Sequence, residues 1–246
     1  MRDIVKEEQR RAIGAVKKSL SWQVTVVRRG LHRDLSAYQM RSIPSERRHE
    51  ICLPFNGDGL PYDRLSELHE YVHALLAEQS HPVFGVATLY AIHPGDDEWV
   101  WGVVNEATDW FVHSWICRKH SIAFRDAFER NAHRLDPCRL ANVLSRLPPT
   151  EVVFSLAVSA GMAAGLRLFR DWQGTTGDPC IEAMAGEFLR TDAERPSLEA
   201  VVSLANRLLV RLGLGLVVSA GADADGGHCC LVSRKSDGVI ALQRAS

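Results

Sequence analysis

A chain of 246 residues, 46% of them hydrophobic, can bury a full core, and its net charge of −1 selects neither a polyanionic nor a polycationic partner. No apolar run reaches the length of a membrane span: the stretch 154–166 is too short and Arg167 ends it. Charged residues at Lys6, Glu7, Glu8, Arg10 and Arg11 break the first apolar stretch, and the six cysteines form no C-x-x-C pair, so free thiols in a cytoplasmic protein without a secretory leader are expected.

The first predicted element is a helix over 4–20. Residues 1–49 hold twelve Lys or Arg against five Asp or Glu, a balance of +7, which leaves −8 on the rest. Arg10-Arg11 and Lys17-Lys18 fall at exposed positions of an amphipathic helix and read as a solvated face, with nucleic-acid binding as the alternative. A Val- and Thr-rich strand is predicted over 22–29, then a polar connection through Ser36 and Pro44-Ser45, a second strand over 49–55 and a turn at Asn56-Gly57-Asp58-Gly59. Helical periodicity follows over 62–79, where Leu65, Leu68, Val72 and Leu76 form the apolar stripe; Pro61 and Asp63 suit its start and Pro82 its stop. His69 and His73 border that stripe, and Glu67, Tyr71 and Glu78 point elsewhere.

A short apolar helix is predicted at about 84–92. Gly95-Asp96-Asp97-Glu98 then opens a helix over 98–119 whose apolar stripe is Val100, Val103, Val104, Ala107, Phe111 and Trp115. Glu106, Asp109 and His113 share another face at spacings of three and four, among Trp99, Trp101, Trp110 and Trp115. Helical character continues over 121–133. Leu147-Pro148-Pro149-Thr150 is the clearest break. Helices are predicted over 150–170, 180–190 and 197–212; in the first, Ala157, Ala160, Gly161, Ala164 and Gly165 point to close helix packing. The chain ends in strands over 214–219, 228–234 and 238–243, the last two joined by a turn at Lys235-Ser236-Asp237-Gly238. His228-Cys229-Cys230 reads as a strand start, since adjacent cysteines rarely chelate one ion.

The chemistry concentrates in His69-Glu70-Tyr71-Val72-His73. Two histidines four apart lie one turn from each other on one helix face, where both imidazoles can bind one Zn²⁺, with Glu70 beside them as general base. A hydrolytic zinc takes three protein ligands and keeps one position open for water. Strand, turn and H-E-x-x-H helix in this order resemble the zincin metallopeptidases, over about residues 48–120. The metzincin type would place a histidine where Gln79 stands, and His81 falls beyond the helix.

The run Asn105-Glu106-Ala107-Thr108-Asp109 is similar to the second helix of the gluzincins. That resemblance implies Glu106 as the third metal ligand and Asp109 in support of a ligating histidine. Residues 101–113 also resemble bacterial predicted metallopeptidases found beside von Willebrand-type domains, in which the aspartate is the ligand. Either acid's oxygen is expected within about 5 Å of the two histidines. His113 is a candidate for oxyanion stabilisation, a fourth metal contact or a core position.

The expectation is therefore an α+β protein. A zincin-like domain with the basic amino-terminal segment occupies 1–147, and a helical accessory region with short strands, over 150–246, packs on it. The expected activity is zinc-dependent hydrolysis of a protein or peptide substrate, with no membrane partner. The rivals are a catalytically silent zincin-fold module for binding or regulation, and a nucleic-acid-associated regulator whose basic amino-terminal segment carries the function; oligomeric state is left open.

Overall fold

A computed structural model of the chain describes residues 2–28, 38–54, 63–85, 89–134, 152–169, 179–222 and 228–236. Among them are six α-helices and two three-stranded sheets, so the protein is of the α+β class. Contact density divides the chain into two units, Met1–Val86 with Val112–Ala127, and Ala87–Phe111 with Phe128–Ser246.

In the first unit, β3 (Arg48–Leu53) is the central strand, parallel to β1 (Gln23–Arg28) and antiparallel to β2 (Gln39–Ile43). Its residues from His49 to Leu53 are buried, so even Glu50 must be paired. Glu50 stands opposite Arg41 in the ladder, accepts from its Nη2 at 2.5 Å, and is also bound by Arg48. Burial raises the carboxyl's pKa, but the two guanidiniums outweigh it and hold it below the usual range. The sequence predicts a polar connection where β2 lies. Only Met40 of that strand is buried, so it carries no hydrophobic alternation, and its strand character comes from pairing with β3.

Helix α1 (Arg2–Ser19) packs on α2 (Arg64–Gln79), as do β2 and β3. Asp63 caps α2, accepting from the backbone N–H of Leu65 and Ser66. The predicted amphipathic stripe is too narrow: burial is unbroken from Glu70 to Ala77. Glu67 and Tyr71, expected to point outward, are buried too. Lys17 of α1 covers both, its Nζ 2.9 Å from Glu67 and 4.4 Å above the Tyr71 ring. Glu78 accepts from the Ser21 hydroxyl and N–H, the Trp22 N–H and His49 Nε2, at 2.5, 2.8, 2.9 and 3.1 Å. After α2 the predicted helix at 84–92 is replaced by a 3₁₀ turn, Pro82–Phe84, and the strand β4 (Leu89–Ala91).

In the second unit β4 runs parallel to β6 (His228–Arg234), which is antiparallel to β5 (Leu216–Ala222). The partner of β4 lies far along the chain, which local periodicity cannot report. Helix α3 (Asp96–Arg134) follows Gly95, whose φ of 88° favours glycine. Asp96 takes both guanidinium contacts of Arg234, at 2.8 and 3.0 Å. The helix end expected at 119 is instead a kink at His120, after which α3 continues. Helices α4 (Val152–Phe169) and α5 (Pro179–Leu189) pack closely: a Cβ on Gly161 would stand 2.6 Å from that of Met184. Helix α6 (Leu198–Leu212) is capped by Ser197 and ends at Gly213, φ 70°. The break expected at 147–150, the turn at 56–59 and the strand at 238–243 lie outside the described residues. Among the described residues no helix is long and apolar enough to cross a membrane, and Cys52, Cys117, Cys180, Cys229 and Cys230 form no disulfide.

The His49–Glu78 pair makes the first unit acid-labile. Burial lowers the pKa of His49 from 6.5, and the Glu78 contact only partly opposes this. Burial raises the pKa of Glu78, but its donors outweigh that and bring it below 4.5. Both folded-state values are depressed, so each contribution is complete above the unfolded value and lost as pH falls beneath it. The thermal midpoint is expected to decline from about pH 6.5 downward and to steepen below about 4.5. His49→Gln should flatten the upper part of the curve; an unchanged profile in that variant would count against a buried neutral imidazole.

Candidate metal centre

Helix α2 carries His69 and His73 one turn apart with Glu70 between them, and the surrounding packing turns this face inward. His73 and Glu70 are buried, 8% and 6% exposed. His73 Nδ1 lies 2.7 Å from the Phe84 carbonyl oxygen, which can only accept, so the ring hydrogen sits on Nδ1 and the Nε2 lone pair is left. That Nε2 is 2.9 Å from Nε2 of His69. The two rings meet edge-on with centroids 4.5 Å apart, and the His113 ring of α3 lies 4.6 Å from that of His69, tilted by 50°. Three imidazoles therefore gather within the first unit.

Helix α3 runs unbroken through the point where contact density divides the chain, and Asp109 stands one turn before His113 on it. One ligand atom from each of His69, His73 and Asp109 falls within 4.8 Å of the others. Asn105 Nδ2 donates to Asp109 Oδ2 at 3.3 Å. Glu106, expected as the third ligand, is outside this group: its Oε1 accepts from the Ser159 hydroxyl of α4 at 2.7 Å. His81 is outside it as well, since its Nδ1 accepts from the Val83 N–H and caps the 3₁₀ turn.

This donor set suits zinc. Two nitrogens bound at 2.0–2.1 Å in a tetrahedral shell stand roughly 3.3 Å apart, close to the 2.9 Å between the two Nε2 atoms. Two imidazoles and a carboxylate are borderline donors that favour zinc over magnesium or calcium.

No protein-family model matches this chain, and no curated protein or solved structure matches it.

Sequence reasoning did not reach the Phe84 carbonyl, because a backbone acceptor leaves no mark in residue identity. It also missed the role of Ser159, whose partner Glu106 lies on another helix; only Ser159's place among the small residues of α4 set it apart.

The geometry ranks the two acids. On this geometry Asp109→Ala should abolish metal binding, whereas Glu106→Ala should leave metal content unchanged while losing the Ser159 contact. Metal analysis of the two purified variants checks this, and the opposite order would restore Glu106 as the ligand.

Proposed function

We propose that the chain is a zinc-dependent peptidase of the zincin type, with His69, His73 and Asp109 as ligands and Glu70 as general base. The observation that carries this reading is the pair of facing Nε2 atoms 2.9 Å apart, with His73 already oriented by Phe84 and Glu70 on the same turn. A zinc ion held there supplies a Lewis acid and lowers the pKa of its water toward 7. Glu70 takes the proton of the attacking water and delivers it to the leaving amine. The Phe84 carbonyl keeps His73 in the tautomer that offers Nε2. Asn105 holds Asp109 by donating to its Oδ2. His113, whose ring lies 4.6 Å from that of His69, is a candidate to stabilise the oxyanion.

The purified protein is expected to hold about one zinc per chain, lost in a His69→Ala, His73→Ala double variant. Glu70→Gln should keep the metal and the fold while hydrolysis of a mixed peptide library falls at least about 100-fold, since an amide cannot accept the water's proton. Metal loss in that variant would make Glu70 a ligand or a structural group. A wild-type protein that binds zinc yet cleaves nothing would favour the rival reading, a zincin-like fold kept for binding or regulation.

A further inference from the structure

A second cluster of polar side chains in the first unit contains none of the proposed metal ligands. Ser42 Oγ is 2.9 Å from His49 Nδ1, and His49 Nε2 is 3.1 Å from Glu78 Oε1. His49 is fully buried and stacks on Trp22, with ring centroids 5.0 Å apart. With the imidazole neutral, Nε2–H donates to Glu78 and the Ser42 hydroxyl donates to Nδ1.

The order Ser–His–Glu is that of a hydrolytic relay, but Gly85 packs directly over the serine. A Cβ added to Gly85 would lie 2.5 Å from Ser42 Cβ and closer still to its Oγ. No substrate carbonyl reaches the hydroxyl from that side.

Gly85 is glycine for space, not for backbone freedom. Its φ of −77° and ψ of −172° are open to any residue. It closes the 3₁₀ turn through its N–H, 2.8 Å from the Pro82 carbonyl, and it directly follows Phe84, whose carbonyl receives His73 Nδ1–H. At the other end of the turn, His81 holds the Val83 N–H at 3.1 Å.

We propose that the seating of Gly85 on Ser42 is a positioning device: Glu78 and His49 hold Ser42, Ser42 fixes the height of the 82–85 turn, and the turn sets the Phe84 carbonyl that orients His73. Ser42 and Gly85 are positioning residues, since neither touches the ligand atoms. The inference rests on the reading of His73 as a metal ligand, but the orientation of its ring can be measured without metal.

The test is Gly85→Ala, alone and with Ser42→Gly, read in two ways. The first is the ¹⁵N spectrum of the His73 imidazole in metal-free protein. The second is zinc affinity by competition with a chelator. Gly85→Ala should abolish the protected Nδ1–H of His73 and weaken zinc by about 10–100-fold, the usual effect of losing a group behind a ligand. Ser42→Gly in the same chain should restore both, because it removes the two side-chain atoms nearest the new methyl and leaves the Pro82 carbonyl oxygen at 3.2 Å. If Gly85→Ala does not fold, the His81 variants decide: His81→Ala should broaden or lose the His73 Nδ1–H signal, and His81→Asn, which still caps the turn, should keep it. An unchanged His73 signal in Gly85→Ala, or in His81→Ala, overturns the proposal. If the wild type binds no zinc, the peptidase reading fails, and the ¹⁵N spectra alone still decide the positioning.

Discussion

Helix α2 is buried on nearly every side while carrying glutamates, histidines and a tyrosine, and the first unit is arranged around that constraint. A buried polar group left without a partner costs about 1–3 kcal/mol, more if charged. Each therefore draws a neighbour into place. Glu67 and Tyr71 call for a cation from α1, and Lys17 supplies it. Glu78 needs several donors, and the α1–β1 connection and β3 provide them through Ser21, Trp22 and His49. His73 needs an acceptor behind it, and the turn after the helix folds back to offer the Phe84 carbonyl. The same contacts that allow α2 to be buried fix the direction of its imidazoles, so stability and site geometry share one set of hydrogen bonds.

The second unit meets the same demand differently. Glu187 on α5 is 3% exposed and is held by Arg190, Arg207 and Arg211, two of them from α6. Burial opposes ionisation of this carboxyl, but the three guanidiniums keep its pKa below the usual range. Asn206, also on α6, pairs both ways with the backbone of Val218 at 2.8 Å, and so occupies part of the open edge of β5. Polar side chains on α6 thus bind both a helix and a sheet, while Leu204, Leu208 and Leu209 of the same helix are fully buried.

Helices were the most legible part of the fold. Their 3.6-residue pattern and caps are local, so Asp63, Ser197 and Gly213 mark boundaries that the structure places within a residue or two of expectation. Strands were legible only where buried or β-branched, as in β1, β3, β5 and β6. β2 and β4 are edge strands without alternation, and their identity resides in distant partners. At the site, His69, Glu70 and His73 could be read because a helix maps spacing onto one face. Choosing between Glu106 and Asp109 could not, since the two lie within a turn of each other and the difference depends on surroundings that spacing does not carry, such as the Ser159 hydroxyl that donates to Glu106 from another helix.

The facing imidazoles also define how the site must respond to a cation. Two nitrogen lone pairs 2.9 Å apart repel unless a hydrogen or an ion lies between them. Phe84 fixes the His73 hydrogen on Nδ1, so in the ion-free pair it is His69 that carries hydrogen on Nε2 and donates it to His73. A cation bound here would take the place of that hydrogen. His73 would keep its hydrogen on Nδ1, whereas His69 would have to move its hydrogen to Nδ1 or release it. The pair is thus unequal despite its sequence symmetry: one ligand is set in advance by a backbone carbonyl, and the other adapts. Orientation is worth most when it precedes binding, so on the proposed reading the Phe84 carbonyl would contribute to affinity by fixing His73 in advance.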